Sequence, residues 1–145
     1  MLNLDENQLY REVILEHYNN PLNSELVSSL PVFTTKNPSC GDTVSMQVEF
    51  DEFGNIKAIH QKSIGCSISV SSVSILTSIL IGKTRQEAIY VAENFLKMVR
   101  GEIYDENIDF KDAIVFENIK NYPARYKCAT VSWSLLLKVL QNKGE

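Results

Sequence analysis

The sequence predicts an α+β domain, a three-stranded antiparallel sheet with helices packed on one face. Three observations predict it. Val44, Met46, Val48 and Phe50 alternate with Ser45, Gln47 and Glu49, the period-two pattern of a half-buried strand. Asp51-Glu52-Phe53-Gly54-Asn55 reads as a hairpin loop that returns the chain through another strand at 56–63. On either side of this β region the apolar spacing lengthens to that of helices, and Thr84-Arg85-Gln86-Glu87 is a capping box that starts one of them.

Taken in order, residues 5–20 read as an amphipathic helix, N-capped by Asp5 and ended by Asn19-Asn20-Pro21. Leu9, Tyr10, Val13, Ile14, His17 and Tyr18 form its apolar face. That face either packs on the core or leaves Tyr10, His17 and Tyr18 partly turned to a partner. His17 has no second ligand residue one turn further on, which argues against a metal role. Residues 21–29 are a loop, and 30–35 a first strand that runs into the turn at Cys40. In the strand at 56–63, Ala58 and His60 share one face, and His60 reads as an exposed strand residue.

Residues 70–81 read as a buried helix, capped by Ser67 or Ser69 and ended at Gly82. Ser69, Ser71, Ser72 and Ser74 are unusual in a helix interior and permit close packing. The capping-box helix runs to Arg100 and stops at Gly101. Residues 102–110 are polar and acidic, the composition of an exposed loop, and Asp112 is placed to cap a short helix through Phe116 and Ile119. Pro123 suits the start of the last helix, at 124–141. Cys128 falls in its first turns, where the helix dipole favours a thiolate, and Trp133 falls in the core or at its edge.

The 145 residues suit a single domain over 1–145, and 44% hydrophobic content is enough for a core without staples. Fourteen basic against eighteen acidic residues give a net charge of −4, which disfavours nucleic acid as the main partner. The N-terminus has no signal-peptide pattern, and the apolar run 70–81 is too short and serine-rich to cross a membrane. The expected location is the cytoplasm, where thiols stay reduced. Three cysteines, an odd number, disfavour a disulfide framework. They leave buried inert thiols, a reactive thiol or a metal site.

Asn37-Pro38-Ser39-Cys40-Gly41-Asp42 places a thiol and a carboxylate on either side of a glycine. Adjacent strands of a meander bring their ends together, so Cys40 and Cys66 become neighbours despite their separation, and Cys128 supplies a third corner. With Asp42 this makes three sulfurs and one carboxylate, a set that zinc accepts. Soft thiolates also take copper(I) or iron–sulfur centres. There is no C-x-x-C pair, and spacing alone leaves three unrelated buried cysteines as the alternative.

The segments NPSCGD (37–42), GCSIS (65–69) and YPARYKCA (122–129) resemble the three cysteine motifs of the IscU-type iron–sulfur scaffold family. More narrowly they resemble its SufU branch, the zinc-dependent sulfurtransferases. The likeness spans nearly the whole chain, including Tyr10-Arg11-Glu12-Val13-Ile14 and His17-Tyr18-Asn19-Asn20-Pro21. Scaffold-type relatives carry a histidine before the third cysteine and an L-P-P-V-K chaperone motif. Here Lys127 precedes Cys128, and the stretch reads Tyr122-Pro123-Ala124-Arg125-Tyr126-Lys127. The spacing from Cys66 to Cys128 also resembles the SufU branch. Ser71 and Val73 stand where alanines are frequent in the family.

The resemblance implies an IscU/SufU-like fold with zinc on Cys40, Asp42, Cys66 and Cys128. It implies a sulfur acceptor, with Cys40 taking persulfide sulfur from a pyridoxal-phosphate cysteine desulfurase of the SufS type for downstream iron–sulfur assembly proteins. The alternative is a scaffold that holds an iron–sulfur cluster on the same side chains. Arg125 is either a solvated or capping cation, or a catalytic group that stabilises a thiolate or Asp42 or contacts the partner.

Overall fold

The computed structural model describes residues 6–37 and 41–141. Its elements are α1 (Glu6–Asn19), β1 (Phe33–Asn37), β2 (Asp42–Phe50), β3 (Ile56–Ile64), α2 (Ser67–Ile79), α3 (Arg85–Arg100), 3-10 turns at Lys111–Phe116 and Ile119–Asn121, and α4 (Pro123–Gln141). The strands form one antiparallel sheet in the order β1-β2-β3. The expected N-cap Asp5 lies outside the described residues.

Strand register gathers three chain segments at one end of the sheet. Asn37 sits opposite Asp42, and Thr43 sits opposite Ile64. The β1–β2 connection, the start of β2 and the end of β3 therefore meet there. The β2–β3 hairpin closes at the other end, where the Asp51 carboxylate accepts from the backbone N–H groups of Phe53 and Asn55, both at 2.9 Å.

Alternation decides which face the helices cover. Val44, Met46 and Ile59 are fully buried and belong to one core with Val73, Leu76, Ala92, Phe95, Trp133 and Leu136. α2 packs on β3, α1 and α4, and α4 packs on β1, α2 and α3. At the centre Trp133 stacks on Phe95 with ring centroids 4.0 Å apart, an arrangement worth about 0.5–1.5 kcal/mol beyond area burial.

The opposite face is covered by the loop that follows α1. Gln47 points away from the helices yet is fully buried. Its amide oxygen accepts from Val27 N–H at 2.8 Å, and its amide nitrogen donates to the Val27 and Leu30 carbonyls at 2.6 and 3.0 Å. Gln61, on the helix-facing side, donates to Leu22 C=O at 2.9 Å, and its backbone N–H donates to Asn23 C=O at 2.9 Å along the outer edge of β3. The loop therefore wraps the β3 edge, crosses the outer face and enters β1 at the far edge.

The strands lie close to the predicted positions, with β1 shifted toward its C-terminal side. α1 is rotated relative to expectation. Tyr10, Val13 and Ile14 pack on the core and His17 is buried, a stripe of i, i+3, i+4, i+7. Leu9, a third of a turn away, is 56% exposed, and Tyr18 is exposed too. His17 is tied to two elements: Nδ1 lies 2.7 Å from Ser74 Oγ and Nε2 lies 3.1 Å from Asp112 Oδ2. Asp112 consequently serves as a partner for His17, and Phe110 occupies the N-cap position of the first 3-10 turn.

The 102–110 segment is anchored more firmly than its composition implies. Phe110 is buried and meets Phe95 and Tyr104 edge-on. Asp105 N–H donates to Asn94 Oδ1, and its carboxylate accepts from Tyr90 O–H at 2.6 Å. The Thr84 capping box is formed in both directions, with Gly101 as the left-handed C-cap of α3.

Candidate metal centre

Three of the four predicted ligands converge at the end of the sheet where β2 starts and β3 finishes. The ligand atoms of Asp42, Cys66 and Cys128 all lie within 4.8 Å of one another. Two sulfurs on a tetrahedral zinc, at about 2.3 Å from it, stand about 3.8 Å apart, so the grouping fits that ion. Asp42 is fully buried and Cys128 nearly so, while Cys66 is half-buried. Two thiols and a carboxylate brought this close, two of the three buried, form a set that a cation would stabilise. The fourth predicted ligand, Cys40, lies outside the described residues, in the connection between Asn37 and Asp42.

Each ligand is placed by its element. Asp42 opens β2 beside the backbone of the Gly65–Cys66 corner: its Oδ1 accepts from Cys66 N–H at 3.2 Å, and its Oδ2 accepts from the Asn37 amide at 3.4 Å. Gly65 is required by this contact. A Cβ there would stand 2.2 Å from Asp42 Oδ1 and 2.9 Å from its Cγ. Gly41 serves differently: its φ is +73°, and a Cβ there would meet no atom within 4 Å, so the backbone conformation alone favours glycine.

Cys66 is itself the N-cap of α2, with φ −75° and ψ 171°, and its side chain makes no capping hydrogen bond. Ser67 and Ser69, expected as caps, are the first and third helical residues. The dipole argument made for Cys128 accordingly belongs to Cys66. Cys128 is the sixth residue of α4, beyond the first turn where the dipole acts most strongly.

α2 and α4 leave this corner side by side. Ser72 O–H donates to Ala129 C=O at 2.7 Å, and Trp133 Nε1 donates to Ser72 Oγ at 3.0 Å. These bonds lock Ser72 of α2 to Ala129, the residue after Cys128, and to Trp133 of α4, and the sequence offered only the small size of the serines as a hint of them.

Arg125 and Lys127 are exposed, and among the described residues neither forms a salt bridge. Arg125 lines a cleft of about 330 Å³ with Tyr10, Ile14, Ile68, Ile119 and Tyr122, and none of Asp42, Cys66 and Cys128 lines it. His60 is half-buried and pairs with Glu49 at 3.2 Å. That bond, ahead of the charge of Lys57, holds the Glu49 carboxyl below its ordinary range. Neither histidine belongs to the Asp42–Cys66–Cys128 group.

Comparison with known proteins agrees with this architecture. The NifU-like N terminal domain family matches residues 9–129. The zinc-dependent sulfurtransferase SufU of Bacillus subtilis is 38% identical over 98% of this chain and 95% of its own. The iron-sulfur cluster assembly scaffold protein IscU of Thermotoga maritima is 33% identical over 92% of this chain and 94% of its own. The crystal structure of FiSufU of the SUF system, from Fervidobacterium islandicum AW-1, superposes with a TM-score of 0.81 at 32% identity, over 91% of this chain and 96% of that one. An N-terminal NifU-like protein of Brucella abortus, 20% identical with a TM-score of 0.80 over 95% of this chain and 98% of that one, shares the fold. No helix among the described residues is long and apolar enough to cross a membrane. The chain belongs to the NifU-like N-terminal domain family and is similar over nearly its full length to both SufU and IscU proteins.

Proposed function

We propose that this chain, as one domain, is a zinc-dependent sulfur acceptor that takes persulfide sulfur from a cysteine desulfurase and hands it to iron–sulfur cluster assembly in the cytoplasm. The observation that carries the reading is the convergence of Asp42, Cys66 and Cys128 within 4.8 Å, next to the connection that contains Cys40. The 38% identity to a zinc-dependent sulfurtransferase supports the choice of zinc and of sulfur transfer.

In this reading Cys40, Asp42, Cys66 and Cys128 hold the ion. Bound there, zinc keeps the thiols deprotonated near neutral pH. Cys40 is the acceptor. Its thiolate attacks the outer sulfur of the partner's cysteine persulfide, a new S–S bond forms on Cys40, the partner's S–S bond breaks, and the partner's cysteine leaves as a thiolate. No external oxidant or reductant is consumed. Cys66 and Cys128, anchored on the helices, stay as ligands. Arg125, exposed on the rim, contacts the pyridoxal-phosphate partner.

Metal analysis of the protein purified with and without air, combined with sulfide release by a pyridoxal-phosphate cysteine desulfurase, tests this reading. One zinc per chain and stimulated sulfide release support it, with stimulation lost in Cys40→Ala and reduced in Arg125→Ala while Arg125→Ala keeps its zinc. Full sulfur acceptance by zinc-bound Cys40→Ala or Cys40→Ser would end it. The similarity to scaffold proteins named IscU supports a second reading, a cluster held by the same side chains. A coloured iron–sulfur species transferable to an apo-protein would favour that one.

A further inference from the structure

Ser69 is fully buried, and its hydroxyl has no hydrogen-bond partner among the described residues. Its neighbours on α2 show how unusual this is. Ser71, Thr77 and Ser78 each donate to the carbonyl three residues back. Ser72 bridges to α4, and Ser74 meets His17 and Leu22. Interior serines of a helix ordinarily find such a partner, because a buried hydroxyl without one is costly.

Ser69 lies one turn into α2 from Cys66. Cys66 is the N-cap and Ser69 is the third helical residue. In a capping box the N-cap side chain accepts from the backbone N–H of the third residue, whose own side chain reaches back to the N-cap backbone N–H. Here one half of the box is taken over from another element, since Asp42 accepts the Cys66 N–H at 3.2 Å. The other half, from the Ser69 backbone N–H to the Cys66 sulfur, is open. With the Cys66 N–H taken, the Ser69 hydroxyl is left one turn from that sulfur without a bond among the described residues. A neutral thiol is a weak acceptor, whereas a metal-bound thiolate is a good one.

We propose that Ser69 is a positioning residue whose hydroxyl donates to the Cys66 sulfur once that sulfur is a metal-bound thiolate. The inference rests on the zinc reading above. An O–H···S bond withdraws charge from the Cys66 sulfur, fixes its direction toward the ion and lowers its nucleophilicity. Cys66 is thereby held as a standing ligand, and sulfur acceptance falls to a cysteine without such a donor.

Cobalt(II) loading and zinc competition test it. In Ser69→Ala the thiolate-to-cobalt charge-transfer band moves to lower energy, zinc affinity against a chromophoric chelator falls about tenfold, and iodoacetamide alkylates Cys66 faster in the zinc-loaded protein. Ser69→Thr, which keeps the hydroxyl, retains the wild-type band. The apo form of Ser69→Ala melts no lower than wild type, because only an unpartnered group has been removed. A wild-type band with an unshifted Ser69→Ala band and affinities within twofold overturns this inference alone. A wild type without zinc and without a cobalt–thiolate band overturns the zinc reading, and this inference with it.

Discussion

The two ends of the α2–α4 pair make a pointed contrast. Farther along the helices Ser72 bridges to Ala129 and Trp133, and Trp133 is itself stacked on Phe95. At the upper end Cys66 caps without bonding, two thiols face a carboxylate, and Ser69 is buried without a partner. Ser132, one turn beyond Cys128, is the other buried hydroxyl in this condition among the described residues. One end is held by the Ser72 bonds and the Trp133–Phe95 stack. The other gathers a carboxylate and two thiols in a set that a cation would stabilise.

The contrast predicts that the two ends fail differently. Trp133→Ala should cost about 3–5 kcal/mol of stability, measured by chemical denaturation, while the folded fraction still binds one zinc. Cys66→Ser or Cys128→Ser should do the reverse. Structural zinc sites yield about 10–16 kcal/mol from four ligands, so losing one should cost about 3 kcal/mol of binding. Chelator competition would read that as a loss of more than a hundredfold, with apo stability little changed. If Trp133→Ala abolished zinc binding in the folded protein, or the cysteine variants unfolded the apo form, the division between the two ends would be wrong.

Two glycines sharpen the comparison within the site. Gly65→Ala drives a Cβ into the Asp42 carboxylate, which stands 2.2 Å from that position. It should weaken zinc binding about tenfold, as disturbing a ligand's support does. Gly41→Ala meets no atom and carries only the cost of its left-handed backbone, about 1–2 kcal/mol of stability. Equal effects on zinc from both would remove the special role of the Gly65–Asp42 contact. On the outer face of the sheet, Gln47→Ala should cost about 1–3 kcal/mol by stranding the Val27 and Leu30 backbone groups, with hydrogen exchange of the 20–32 loop speeding up and zinc untouched.

The smallest effect concerns pH. The Asp105 carboxyl is held below its ordinary range, first by the Tyr90 hydroxyl and then by Asn107 N–H. A depressed carboxyl contributes above its unfolded pKa, near 3.8, and that contribution fades as pH falls through the lower folded value. Asp105→Asn should therefore lose a little thermal stability at neutral pH and nothing once the carboxyl is protonated in both states. A melting difference that persisted in strong acid would contradict this.

Much of this was legible in the sequence, for physical reasons. Strand alternation at Val44–Phe50, the Thr84–Glu87 box and the Gly101 stop are local signals, and each element formed where local chemistry placed it. Hairpin geometry, with strands of a meander sharing their ends, predicts Cys40 beside Cys66; Cys40 lies outside the described residues, and Asp42, two residues on, is the residue that meets Cys66. What stayed hidden depends on distant partners. Cysteine is not a capping residue by type, so Cys66 at the N-cap became visible only when Asp42 took its N–H. Gln47 looked like one of the solvent-side residues of β2, and only the loop from α1 makes it a buried clasp. Leu9 and Tyr10 are equally apolar by spacing; the packing of α1 on α2 chose Tyr10. Phe110 and Asp105 sat in a polar stretch whose anchors, Phe95, Asn94 and Tyr90, lie on α3.

The central claim is that Cys40 is the ligand that takes the sulfur while Cys66 and Cys128 stay as metal ligands. Mass spectrometric mapping of the zinc-loaded protein, after one turnover with a pyridoxal-phosphate cysteine desulfurase and cysteine, tests it most directly. The account predicts one added sulfur atom on the peptide containing Cys40, with Cys66 and Cys128 unmodified and zinc retained. Added sulfur on Cys66 or Cys128 with Cys40 unmodified would contradict it.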